Sequence, residues 1–241
     1  MSFPRLRESS NEAKDVHCLR KNNADTLLLA SMASESEFRK QAHNYSSILI
    51  STHGDFCSKN PIATDLKPVA CDEGMSQNII AFAGVNAYLR NKNFDATNTC
   101  DGLLSAKELA SLDLSSCKLF TISACQSALG EITPDGVFGL QRGLKNAGVD
   151  AMILSLWNVN SDATAMMMRE LYSNIDRNMS IRQAFNEARK ALFEPDKSAV
   201  SEVKYVFDPA TMSTVAVKSD TSVSYDTPQY TNAFVLIDAL E

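Results

Sequence analysis

Residues 118–131 read KLFTISACQSALGE. A branched and aromatic apolar run, Leu119, Phe120 and Ile122, stops at small residues, then at Cys125, then at a polar turn. This is the pattern of a buried strand delivering one thiol to its C-terminal edge. In open α/β sheets ligands bind in the crevice beyond the strand carboxyl ends, so the thiol stands where chemistry is done. SSILIST at 46–52, ending at His53-Gly54, and DAMILSLW at 150–157, ending at the polar turn NVNSD, have the same character.

Helical patterns fill the space between these strands. Residues 8–23 place Ala13, Val16 and Leu19 at spacing three, an amphipathic helix. TLLLA at 26–30 reads as a short buried strand, and Ser34 with Glu37 forms a capping box for a helix to about residue 42. From 55 to 77 the chain is irregular, with Pro61, Pro68 and Gly74, and reads as a loop over the crevice. NIIAFAG at 78–84 predicts a strand leading into a hairpin with VNAYLR at 85–90. Asp101-Gly102 turns the chain, and Ser105 with Glu108 caps a short helix.

Beyond the thiol, GVFGLQRGLKNAG at 136–148 predicts a helix stopped by Gly148. Helices are expected at 162–176, where Met166, Met167 and Met168 read as core, and at 180–193, opened by Ser180 and Gln183. Residues 194–230 lose periodicity and read as a long loop with room for a hairpin around 203–217. A last strand at 233–237 completes the sheet. Strands alternating with helices at this spacing predict an α/β fold, a three-layer α/β/α sandwich with a largely parallel central sheet. With no internal repeat and no clean linker, residues 1–241 are expected to form one domain.

The composition is that of a globular chain, 44% hydrophobic and 22% charged. A net charge of -6 without clustered Lys and Arg argues against direct nucleic-acid binding. No apolar run approaches the roughly 18 residues that span a bilayer, and MSFPRLRESSNEAKD lacks the apolar centre of a secretory signal. A cytoplasmic protein with no membrane partner is expected. The six cysteines, Cys18, Cys57, Cys71, Cys100, Cys117 and Cys125, show no metal-ligand spacing, so free thiols and no metal or other cofactor are expected.

If the strands ending at His53 and Cys125 are parallel neighbours, both side chains emerge on one edge of the sheet. A thiolate there attacks a carbonyl while the imidazole gives a proton to the departing amine. Gly54 lets a backbone N–H approach the developing oxyanion with no side chain in the way. The plainer alternative is a hydrogen-bonded histidine and a buried small thiol, which most chains contain. His17 and His43 compete poorly, one in a surface helix pattern and the other at a helix end.

STHG at 51–54, DGLLSAKELASLDLS at 101–115, ISACQSALGE at 122–131, GVFGLQRGLKNAG at 136–148 and LSLWNVNSDAT at 154–164 together resemble the CHAT domain. This is a caspase-like cysteine peptidase domain of the caspase, gingipain and separase clan. The resemblance runs from about residue 5 to residue 237. It implies a caspase-like fold and an endopeptidase with His53 and Cys125 as the dyad. The oxyanion hole would be the backbone N–H groups of Gly54 and Cys125. In this clan the histidine acts chiefly on the leaving amine and need not touch the thiol at rest.

The turn at 157–162, with Trp157, Asn158 and Asp162, is where clan members wall the substrate cleft. Trp157 fits either a stacking surface or the core, and Asp162 fits either a site favouring Lys or Arg at P1 or a helix cap beside Ser161. Ser123 shares a sheet face with Cys125 by strand alternation and is expected to floor the pocket without a strong charge preference. Members often sit beside helical repeats and are switched on by partners. The resemblance therefore implies regulated cleavage of a protein substrate, with an activating partner of helical-repeat type. A catalytically inactive module that binds a protein or peptide is the alternative.

The chain departs from the family in two places: the domain usually opens with a strand before the first helix, which MSFPRLRESS is too short and polar to supply, and the Asn-, Ser- and Asp-rich segments at 55–77 and 194–230 carry no motif of the family and read as solvated loops or as activation or exosite loops. A chain cut from a larger protein, or a sheet short of an edge strand, is expected.

Overall fold

The computed structural model describes residues 3, 6–19, 25–56, 78–90, 100–124, 127–128, 130–133, 136–193, 202–208, 213–219 and 225–238. Helix α1 (Arg7–Leu19) is followed by an extended segment and α2 (Glu35–Gln41). Then come β1 (Ser47–Ser51), β2 (Gly54–Phe56), β3 (Asn78–Ala81), α3 (Val85–Arg90), β4 (Leu103–Ser105), α4 (Ala106–Leu109) and β5 (Leu119–Ser123). A hairpin of β6 (Gly130–Thr133) and β7 (Gly136–Gly139) leads to α5 (Leu140–Asn146), β8 (Ala151–Ser155), α6 (Ser161–Asp176) and α7 (Ile181–Ala191). The chain continues through β9 (Glu202–Asp208), β10 (Ser213–Ser219), α8 (Pro228–Thr231) and β11 (Phe234–Asp238).

Four strands make the main sheet in the order β1-β5-β8-β11. β1, β5 and β8 run parallel, and β11 closes the edge antiparallel to β8. All five residues of β5 and of β8 are buried, as a parallel strand covered on both faces requires. Alternate β5 side chains divide between two clusters. Phe120 and Ile122 join Phe38, Leu104, Leu140 and Leu144, while Leu119 joins Val16, Met167, Leu171 and Phe185. Phe120 is completely buried, a contribution of about 2 kcal/mol by area. A second sheet, β2-β3-β4, branches from the end of β1, and β9 with β10 forms a separate antiparallel hairpin.

Local signals set many of these boundaries. Ser105 with Glu108 and Ser180 with Gln183 form complete capping boxes. Ser34 accepts the Glu37 N–H, but the Glu37 carboxylate bonds Gln41 instead of returning to the cap. Met167 and Met168 are buried, in keeping with a core role. Gly148, at φ +93°, ends the turn after α5.

Several expectations are corrected. VNAYLR forms helix α3, because β3 already has β2 on one side and β4 on the other, leaving no edge for a hairpin partner. Ala87 and Tyr88 instead bond back to the Gly84 carbonyl. The start of GVFGLQRGLKNAG is strand β7, and the helix begins only at Leu140. TLLLA is extended at 26–29 but lies in no ladder, and the chain tightens into a 3-10 turn at Ala30–Met32. The loop expected at 55–77 opens with the last two residues of β2, and its remainder, 57–77, lies outside the described residues.

Candidate functional site

β1 and β5 are adjacent and in register from Ser47 opposite Leu119 to Ser51 opposite Ser123. The Thr52 N–H still reaches the Ser123 carbonyl at 3.2 Å, so the pairing continues one residue past the ladder. Thr52 Oγ1 then donates to the Ala81 carbonyl at 2.6 Å, and Ala81 N–H donates to the His53 carbonyl at 3.0 Å. These bonds hand the chain from the main sheet to the smaller one. His53 sits at that junction, half-buried.

The same bonds orient Gly54. It stands opposite Ile80 in an antiparallel pair, and the bond between their neighbours, Ala81 N–H to His53 C=O, marks this as a pair that exchanges no bonds of its own. The Gly54 N–H therefore points away from β3.

Cys125 lies outside the described residues; both of its flanks are described. Ala124, 2% exposed, has its carbonyl bonded by the Ser155 hydroxyl. Ser127 N–H donates to Ser155 Oγ at 3.3 Å, Ser155 N–H to Ser127 Oγ at 2.8 Å, and Ala128 N–H to the Ser155 carbonyl at 2.8 Å. The end of β8 thus pins the chain on either side of positions 125 and 126. Cys117 is a contrasting thiol: it is fully buried, and burial pushes its pKa up to about 11, so it is held as an unreactive thiol. Cys18 and Cys100 are exposed.

Ser123 is 6% exposed and turned toward α1, where its hydroxyl donates to Glu12 Oε2 at 3.0 Å. Glu12 is 4% exposed, and burial raises its pKa from 4.5 to about 7, against the opposing effect of hydrogen bonds from Ser123 and Ser51. Its Oε1 has no partner among the described residues. Sequence reading missed this carboxyl. The signal was there, because Glu12 falls four residues before Val16 on the buried stripe of α1, where a charge is out of place. Ser127 and Ser155 were missed as well; polar residues at strand ends are too common to single them out.

In the expected cleft wall, Trp157 is half-buried against the α6 and α7 cluster, and its indole N–H donates to the Gln229 carbonyl at 2.9 Å. Asn158 is exposed. Asp162 is exposed in the first turn of α6, and the capping expected of Asp162 and Ser161 is performed by Asn160, whose Oδ1 takes the N–H groups of Asp162 and Ala163 at 3.0 Å. Asparagine at that position closes the geometry because its carbonyl reaches two orphan donors at once. Among the described residues no three His, Cys, Asp or Glu side chains are grouped to hold a metal, and no helix is long and apolar enough to cross a membrane.

A mixed α/β chain with a mostly parallel four-stranded sheet, bearing a histidine at a strand end on one edge, is the class compatible with a caspase-like fold. The CHAT domain family model matches residues 1–237, and the chain belongs to that family. It is also similar to tetratricopeptide repeat protein 28 of Mus musculus, 33% identical over 90 residues, and to that of Homo sapiens, 31% identical over 90 residues. Each alignment takes in 37% of this chain and 4% of the relative, so the matched region spans a small part of those proteins.

Proposed function

We propose that the protein is a cysteine endopeptidase in which Cys125 is the nucleophile and His53 the acid and base. The observation that carries this is the register: Ser51 and Ser123 are opposite each other on parallel strands, and His53 and Cys125 each follow two residues later. In the proposed reaction the Cys125 thiolate attacks the scissile carbonyl, and the backbone N–H groups of Gly54 and Cys125 receive the oxyanion. His53 protonates the leaving amine, and water then hydrolyses the thioester. A Gly54 N–H turned away from β3 supports its part in this scheme.

Clusters on both faces of the sheet support a three-layer caspase-like reading for one domain over 1–241. Ser123, Trp157, Asn158 and Asp162 are proposed to border the substrate. The tetratricopeptide repeats named in the relatives support a helical-repeat protein as the activating partner. A cytoplasmic setting and regulated proteolysis complete the proposal. The test compares wild type with Cys125→Ala on a peptide library and on candidate partner proteins. Cleavage by wild type alone is expected, and equal cleavage by both overturns the assignment. A thiol-reactive peptide that never labels Cys125 under activating conditions would move the reading to an inactive binding module.

A further inference from the structure

Phe3 is fastened beside His53 by a contact that peptide hydrolysis does not need. Its N–H donates to Asn86 Oδ1 at 2.8 Å, and its carbonyl accepts from Asn86 Nδ2 at 2.6 Å. Its ring lies 5.5 Å from the His53 imidazole, centroid to centroid, with the planes at 48°. An extended residue presents its N–H and C=O to the same side, so a single carboxamide satisfies both, as one rung of a β ladder does. Pro4 follows in the sequence, and a residue before proline is biased to the extended region. Asn86 thus reads main chain, while the aromatic ring is selected separately by the wall at His53.

Asn86 lies in the first turn of α3, which starts where Gly84, at φ +99°, turns the chain out of β3. Phe3, Asn86, Thr52 and His53 all line one cavity of about 630 Å³. Phe3 thus fills one position of the cavity that His53 borders.

We propose that Asn86 and the His53 wall form a subsite for one aromatic residue of an extended peptide, and that Phe3 of this chain occupies it until a substrate displaces it. The proposal rests on the reading of His53 as the catalytic histidine. A tethered occupant competes at high effective concentration, so peptide added in trans binds in proportion to the fraction of molecules with the subsite open.

The probe is the fluorescein-labelled hexapeptide of residues 1–6, MSFPRL, its binding followed by anisotropy. Phe3→Ala is expected to bind it roughly tenfold more tightly than wild type, as an open fraction near one tenth in wild type implies. Phe3→Tyr is expected to stay close to wild type, because the ring and the extended backbone remain. Adding Asn86→Ala to Phe3→Ala is expected to abolish the gain. Were Asn86 only a tether for Phe3, that second change would do nothing once Phe3 was gone. No gain in Phe3→Ala, or full binding by the double variant, overturns the subsite.

Alkylation of Cys125 by iodoacetamide in the Phe3→Ala protein, with and without the hexapeptide, separates the two readings. Peptide binding as expected with a Cys125 that stays unreactive under activating conditions as well removes the peptidase assignment and leaves Asn86 and His53 as a peptide-binding subsite. A reactive Cys125 with no peptide binding removes the subsite alone.

Discussion

Glu12 and Glu35 are both buried carboxyls, 4% and 1% exposed, on helices packed against opposite faces of the main sheet. Their surroundings differ. Glu35 Oε1 takes Arg39 Nε at 2.7 Å, its Oε2 takes the Gly102 N–H at 2.9 Å, and Arg39 also reaches Glu108 at 3.0 Å. Burial still pushes the Glu35 pKa up, but the guanidinium and the Gly102 N–H oppose it. Glu12 receives hydroxyls from Ser123 and Ser51 and, among the described residues, no cation, and rises to about 7. A buried carboxyl with a counter-charge fastens structure, whereas one without it remains free to exchange its proton near neutrality. The second kind stands at the strand ends that lead to His53 and Cys125.

The largest effect expected from breaking the comparison comes from Arg39→Ala, which makes Glu35 as uncompensated as Glu12. It should destabilise the fold by about 4 kcal/mol, read from the denaturant midpoint at pH 7. A loss below ~1 kcal/mol would show that Arg39 does not hold that charge.

Next is Glu12 itself. Its folded pKa lies above the ordinary value of 4.5, so the folded state keeps a proton that the unfolded chain releases. The stability this group contributes is complete below pH 4.5 and is lost as pH rises through about 7. The loss amounts to roughly 3 kcal/mol. Glu12→Gln should flatten this part of the profile and be the more stable protein at pH 8; parallel wild-type and variant profiles would remove the assignment.

Gly102→Ala tests the neutral partner of Glu35. Gly102 has φ +87°, and an added Cβ would lie 2.8 Å from the Val85 backbone nitrogen. A cost of about 2 kcal/mol is expected in thermal unfolding, and an unchanged Tm would refute the close approach.

Ser123→Ala sharpens the other side with the smallest change, about 1 kcal/mol. It removes a donor that favours the ionised form, so the Glu12 titration followed by carboxyl NMR should move further up. A downward move would mean that Ser123 does not donate to this carboxyl.

Much of the main sheet was legible because its strands are unbroken apolar runs. β1, β5, β8 and β11 match 46–52, the run before Cys125, 150–157 and 233–237. The hairpin of β9 and β10 falls where loop 194–230 had room for one. Short segments were not legible: six residues at 85–90 fit a strand or a helix by pattern, and occupation of both edges of β3 decided for a helix. At the candidate site, His53 and Gly54 were readable as residues at a strand end, while Cys125 lies outside the described residues. Glu12 was signalled only by its place on the buried stripe of α1, and Ser127, Ser155 and Asn86 were not readable, since each acts on a partner tens of residues away.

The sequence by itself determined which segments run as the strands of the main sheet, where the helices capped by Ser34, Ser105 and Ser180 begin, and which histidine and thiol follow strands in the chain, because periodicity and capping are local. Only the tertiary structure decided that β1 and β5 are neighbours in register, that a lone carboxyl bridges their ends, and that Phe3 rests on His53. These are pairings between segments far apart in the chain. They follow from which edges and faces remain uncovered after the strands have packed, and no local pattern carries that information.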